Sequence, residues 1–189
     1  TGDFAVYYNF LSNATDGIIR PSQSVTIEGI VRTHGITYIQ DMDLMILTDV
    51  GVGSVPDDGA YTVIEDWTTK SSDGNIAVDE QRRVEGINTF LGNPVDVAYD
   101  PSSDAVIIAE RANDGGRVLA YRLSDTGNVS PYFNMKAEGT SAIYLDDMNI
   151  ELVAQTRFFT SSNTSQNVSV YDINQDNSIA NVYNFMVAG

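Results

Sequence analysis

With 189 residues, 42% of them hydrophobic and 19% charged, the chain is long and apolar enough to bury a sizeable core, which excludes an intrinsically disordered segment. Its 26 acidic side chains against 10 basic ones give a formal net charge of −16, so long-range electrostatics oppose approach to phosphate backbones and no nucleic-acid partner is expected. The absence of cysteine excludes disulfides, a thiol nucleophile and Cys-ligated zinc. No stretch reaches the roughly 18 consecutive apolar residues of a membrane span.

Taken in order from Thr1, the apolar runs are short, rich in Val, Ile and Tyr, and bounded by Asp, Asn, Gly, Ser or Pro, the pattern of β-strands. Helical periodicity is nearly absent. Strands are expected at 4–10, 24–29, 36–40, 44–49, 60–66, 95–99, 105–110 and 117–123, then at 142–145, 150–155, 168–173 and 179–185. Asp58-Gly59, Asp73-Gly74 and Asp114-Gly115-Gly116 supply the positive φ of tight turns between them. Thr1 is not an initiator Met, so a processed or excised segment is expected.

The strands recur in a fixed order, which marks a repeat architecture. Asp16-Gly17, Ile19 and Glu28-Gly29-Ile30 reappear 57 residues later as Asp73-Gly74, Ile76 and Glu85-Gly86-Ile87, with a looser copy at Gly127 and Glu138-Gly139. After each Glu-Gly pair comes a two-strand unit: Tyr38 through Asp49, Tyr99 through Glu110, and Tyr144 through Gln155, the last aligned without a gap. A third strand follows in each, at 61–65, 118–122 and 168–172, and its counterpart at 5–8 shows that the chain starts midway through a unit. With the strands named a to d, the order is c-d and then three runs of a-b-c-d. The expected fold is all-β: a partial β-propeller of about three and a half four-stranded antiparallel blades, with 1–33 an incomplete blade and full blades at 34–92, 93–138 and 139–189. A repeated antiparallel sandwich is the competing fold.

The stretch Asn93-Pro94-Val95-Asp96-Val97-Ala98-Tyr99-Asp100-Pro101, the strand at 105–110, and Gly116-Arg117-Val118-Leu119-Ala120-Tyr121-Arg122-Leu123 together resemble one repeat of the YVTN, NHL and lactonase-like propellers. The resemblance implies a propeller that closes with six or seven blades when complete. It does not imply one activity, since such propellers include hydrolases, redox enzymes, and protein or carbohydrate binders.

In propellers of this kind the a strands line the central channel, so the entrance to a and the exit of b meet near its mouth. That geometry selects His34, Asp49, Asp96, Glu110 and Arg111 as ligand-binding candidates. His34 is aligned with Val95 and Thr140, and Asp49 with Glu110 and Gln155. Carboxylates with one imidazole can hold a divalent cation such as Ca²⁺, act as acid and base, or simply satisfy loop amides. A single histidine rules out a multi-His metal centre, and no cofactor is otherwise expected. The run Asp172-Ile173-Asn174-Gln175-Asp176-Asn177 imitates half a calcium loop but lacks its turn Gly and distal Glu. Phe158-Phe159 is expected in a long b–c connection, as a contact surface or as packing between blades, and Trp67 as packing filler. No nucleophile elbow or phosphate-binding glycine loop is present.

The expected function is therefore non-enzymatic: an extracytoplasmic scaffold or recognition module, at the cell surface, in the periplasm or secreted, with a protein partner or self-association through its terminal blades. A lactonase-like hydrolase with a polar or metal site at the channel mouth is one alternative. A subunit of an extracellular filament or surface layer is another.

Overall fold

The computed structural model describes residues 3–13, 17–52, 54–146, 156–162, 167–173 and 178–186. The chain opens with β1 (Asp3–Val6), a single helical turn α1 (Phe10–Asn13) and β2 (Gln23–Ile27). Next come β3 (Thr33–Ile39), β4 (Leu44–Asp49), β5 (Ala60–Ile64), a second helical turn α2 (Trp67–Lys70), β6 (Asn75–Ile76) and β7 (Arg82–Glu85). Then follow β8 (Pro94–Asp100), β9 (Ala105–Glu110), β10 (Arg117–Arg122) and β11 (Phe133–Lys136). The last described strands are β12 (Thr140–Asp146), β13 (Thr156–Ser162), β14 (Asn167–Ile173) and β15 (Ile179–Met186).

Three four-stranded antiparallel sheets form in chain order, β3-β4-β5-β7, β8-β9-β10-β11 and β12-β13-β14-β15. They are preceded by a sheet in which β1 and β2 pair antiparallel, the c and d strands of a blade. The innermost strands β3, β8 and β12 lie side by side, so successive sheets stack like spokes. This is a partial β-propeller.

Local chemistry explains the strand ends. The a–b hairpins turn at Asp43 and Asp104, both left-handed with φ of 46° and 54°, a conformation Asp tolerates because its short side chain bonds locally. In each hairpin a tyrosine hydroxyl one strand back donates to that aspartate: Tyr38 to Asp43 and Tyr99 to Asp104, both at 2.9 Å.

Packing follows the same repeat. All six residues of β4 and all six of β9 are buried, because each b strand is covered on both faces by neighbouring sheets. Leu44, Ile46, Tyr61 and Val63 meet Val97, Tyr99, Val106, Ile108, Leu119 and Tyr121 between the first and second full blades. Ala98, Ile107, Ala109, Val118 and Ala120 meet Ile143, Tyr171 and Ile173 between the second and third. Each such Val, Leu or Ile side chain contributes ~1.5–3 kcal/mol relative to an exposed one. On the other side Val25 and Ile27 pack against Met45, Leu47, Ile64, Trp67 and Ile76, so Trp67 is core packing.

Three sequence expectations change. The connection from β5 to β7 carries α2 and β6, and β6 pairs parallel to β2, bracing the outer edge of the preceding sheet. The b strand of the third full blade is β13, Thr156–Ser162, and not 150–155; residues 147–155 lie outside the described ones. Phe158-Phe159 therefore sits within that strand and not in a b–c connection, with the Phe159 ring 6.4 Å from that of Tyr144 on β12. The sequence offers two strand-like runs for one position, Ile-Glu-Leu-Val-Ala-Gln at 150–155 and Thr-Arg-Phe-Phe-Thr-Ser-Ser at 156–162, and only cross-strand pairing selects between them.

Candidate functional site

The exit of strand b and the entrance of strand a fall at one level in every full blade. Thr33 pairs with Asp49, Pro94 with Glu110 and Thr140 with Ser162, each followed by a bulge in the a strand. Ser162, not Gln155, is thus the third counterpart of Asp49 and Glu110. The same register makes Ser141, not Thr140, the counterpart of His34 and Val95, and Ala142 that of Gly35 and Asp96. The loop beyond is also repeated, since Val50 N–H donates to Arg32 O at 2.8 Å and Arg111 N–H to Asn93 O at 3.0 Å.

Asp49 is 1% exposed. Its carboxylate accepts from the N–H groups of Val31, Arg32 (2.9 Å) and Gly51 (3.1 Å), and pairs with the Arg83 guanidinium at 2.7 Å. Burial alone would push its pKa up; the bonds from Arg32, Arg83, Gly51 and Val31 outweigh that and hold it below the ordinary carboxylate value. Arg83 arrives from β7, two strands away, and also reaches Glu85 at 2.5 Å.

Glu110 is fully buried and accepts from four backbone amides: Gly92 (3.0 Å), Asn93 (2.9 Å), Ala112 (2.7 Å) and Asn113 (3.3 Å). No ion pair reaches it among the described residues. Burial dominates here and raises its pKa, although the four amide bonds work the other way. Equivalent positions thus respond oppositely: Asp49 has the Arg83 guanidinium beside its amide donors, whereas burial prevails over the amide donors of Glu110.

Asp96 is half-buried and bonds across blades. One carboxylate oxygen accepts from its own Val97 N–H at 3.0 Å, the other from Ile143 N–H on β12 at 2.9 Å. Its counterpart Gly35 makes the preceding blade contact by lack of a side chain. A Cβ there would lie 2.7 Å from Asp96 Cα and 2.8 Å from Val97 N, closer than any side chain can approach backbone. His34 and Arg111 are exposed. Among the described residues no hydrogen bond or ion pair joins any two of the five, and no three His, Asp or Glu side chains gather as metal ligands. Of the calcium-like run, only Asp172 and Ile173 are described, both in β14.

Arg83 and Ser162 had no signal of their own in the sequence. The Tyr38/Asp43 and Tyr99/Asp104 pairs did, as a tyrosine followed five residues later by aspartate at matching places in two repeats.

No helix among the described residues is long and apolar enough to cross a membrane. Comparison of the sequence with protein-family models gives no match, and comparison with curated proteins gives none. Among solved structures the fold is similar to a chain of a crystallised nidogen/laminin complex, with a TM-score of 0.54 and 14% identity over 85% of this chain. The chain spans about half, 49%, of that neighbour, a propeller, so the likeness concerns the fold.

Proposed function

We propose that this chain contributes blades to a recognition or scaffold propeller of the YVTN, NHL and lactonase-like type, working outside the cytoplasm and completed by further blades or chains. The observation that carries this reading is a mismatch between equivalent residues. Val97 and Tyr99, 4% and 8% exposed, pack onto the preceding blade; their counterparts Ile36 and Tyr38 are 52% and 42% exposed. At the other end Ala98 is 8% exposed against the third blade, while its counterpart Tyr144 is 69% exposed. Both end faces thus offer apolar side chains at positions that the repeat uses for blade-to-blade contact.

A protein partner or a second copy fits such faces, and the structural neighbour belongs to a protein complex. At the channel mouth, the exposed His34 and Arg111 are the side chains a ligand would meet, above loops held by Asp49, Asp96 and Glu110. The test is mass in solution by light scattering at rising concentration. Association is expected, weakened by Ile36→Asp together with Tyr144→Asp; a compact 20.6 kDa monomer at every concentration would overturn the reading.

A further inference from the structure

The contact between the second and third full blades departs from the contact before it in a specific way. On the second blade, Ile108 and Leu119 are fully buried against the first. The pairing registers put Thr160 and Ser169 at those two positions on the third blade, Ser162 at that of Glu110, and Asn167 at that of Arg117. Four packing or clamping positions are replaced by three hydroxyls and an amide. The result is a cavity of about 480 Å³ between β11 and the facing strands β13 and β14, lined by these four side chains with Thr140, Lys136, Glu138, Met135 and Tyr171.

That volume lies within the ~300–1,000 Å³ of small-molecule sites. The lining defines what fits. Asn167 contributes a carboxamide to this lining. Hydroxyl and amide groups both donate and accept, matching a ligand that does the same at several points. The exposed Lys136 and Glu138 balance each other at the rim, and a net charge of −16 disfavours an anion. Met135 and Tyr171 supply an apolar wall.

We propose that this cavity binds a neutral polyhydroxylated ligand, a saccharide unit, either free or at the end of a glycan. Asn167 and the hydroxyls of Thr160, Ser162 and Ser169 read its hydroxyl groups, and Tyr171 and Met135 cover its C–H face. The site is separate from the end faces and does not depend on assembly through them.

The experiment is a ¹H–¹⁵N NMR titration of the full chain with glucose, N-acetylglucosamine, maltose and methyl α-glucoside at millimolar concentrations. Shifts are expected at the amides of Thr160, Ser162, Asn167 and Ser169 and along 136–140 with at least one probe. Methyl α-glucoside matching glucose assigns a glycan end as the source, whereas a response to the reducing sugars alone assigns the free sugar. Asn167→Ala, which removes the carboxamide from the lining, should weaken binding about tenfold, the worth of one hydrogen bond. Thr160→Ile with Ser169→Leu restores the residues of the second blade and should abolish binding while raising Tm, so loss of binding is not loss of fold. Absence of shifts at these amides with all four sugars, or undiminished binding by the Ile/Leu variant, overturns the proposal.

Discussion

Replacing Asp49 with Asn keeps the shape of the side chain but removes its charge and turns one acceptor into a donor facing backbone N–H groups. The wild-type carboxylate is 1% exposed and holds Arg83 at 2.7 Å as well as the amides of Val31, Arg32 and Gly51. Breaking a fully buried ion pair costs ~3–5 kcal/mol. Arg83 keeps its bond to Glu85 and has 19% of its side chain in contact with solvent, so the expected loss is about 2–3 kcal/mol at neutral pH. Urea unfolding of both proteins, followed by tyrosine fluorescence at several pH values, measures it. Because the folded pKa of Asp49 lies below its unfolded value, the stabilisation is present above about pH 4 and disappears as pH falls through the folded pKa. The gap between wild type and Asp49→Asn should therefore close in acid. A variant as stable as wild type at pH 7, or a gap that persists unchanged at pH 3, refutes the clamp.

Glu110 gives the opposite pH trend. Its folded pKa is raised, so its contribution is complete below about pH 4.3 and is lost as pH rises through the folded value; the deficit of Glu110→Gln relative to wild type should shrink toward neutral pH in the same urea series. Gly35→Ala, which forces a methyl against the Asp96 and Val97 backbone, should lower stability by about 2–3 kcal/mol, read as a drop in Tm. Val97→Ser should cost about 3 kcal/mol while Ile36→Ser at the equivalent exposed position costs less than about 1 kcal/mol; equal losses would show that the two faces are covered alike. Tyr99 is pushed up to about 12 by burial, its hydrogen bond to Asp104 and that carboxylate's charge, and burial raises Tyr61 and Tyr121 as well. These phenols stabilise the fold below about pH 10 and lose that effect as pH rises further, so phenolate absorbance should appear in two stages, the second coincident with unfolding.

The architecture was legible because it is periodic. The Glu-Gly pairs, the buried runs 44–49 and 105–110 and the Asp turns each recur, and each copy supports the others. The third b strand was not legible, since 150–155 and 156–162 both look like strands and the decision lies in pairing with β12 and β14. At the b-strand exits the sequence aligned Asp49 with Glu110 but did not show what their side chains touch. Nothing near Asp49 in the chain points to Arg83, 34 residues on, and nothing near Asp96 points to the amide of Ile143, 47 residues on. The first is set by the order of strands across one sheet and the second by the stacking of one blade on the next, and the alternation along a single strand encodes neither.

Comparing the three b-strand exits separates what the repeat requires from what it permits. Asp49 grips the amides of Val31 and Arg32, Glu110 those of Gly92 and Asn93, and Ser162 donates to Glu138 O at 3.0 Å. In each blade the side chain at this position ties down the crossing from the previous d strand into the next a strand. The geometric demand is constant, and the chemistry is not: an ion-paired carboxylate, a carboxylate held by amides alone, and a hydroxyl. A carboxylate long enough to collect several amides takes up more of the space beside this crossing than the shorter hydroxyl of a serine does. Ser162 is thus one of the four replacements that together open the cavity of the third blade, and Ser162→Glu should narrow that cavity and weaken binding of whatever enters it.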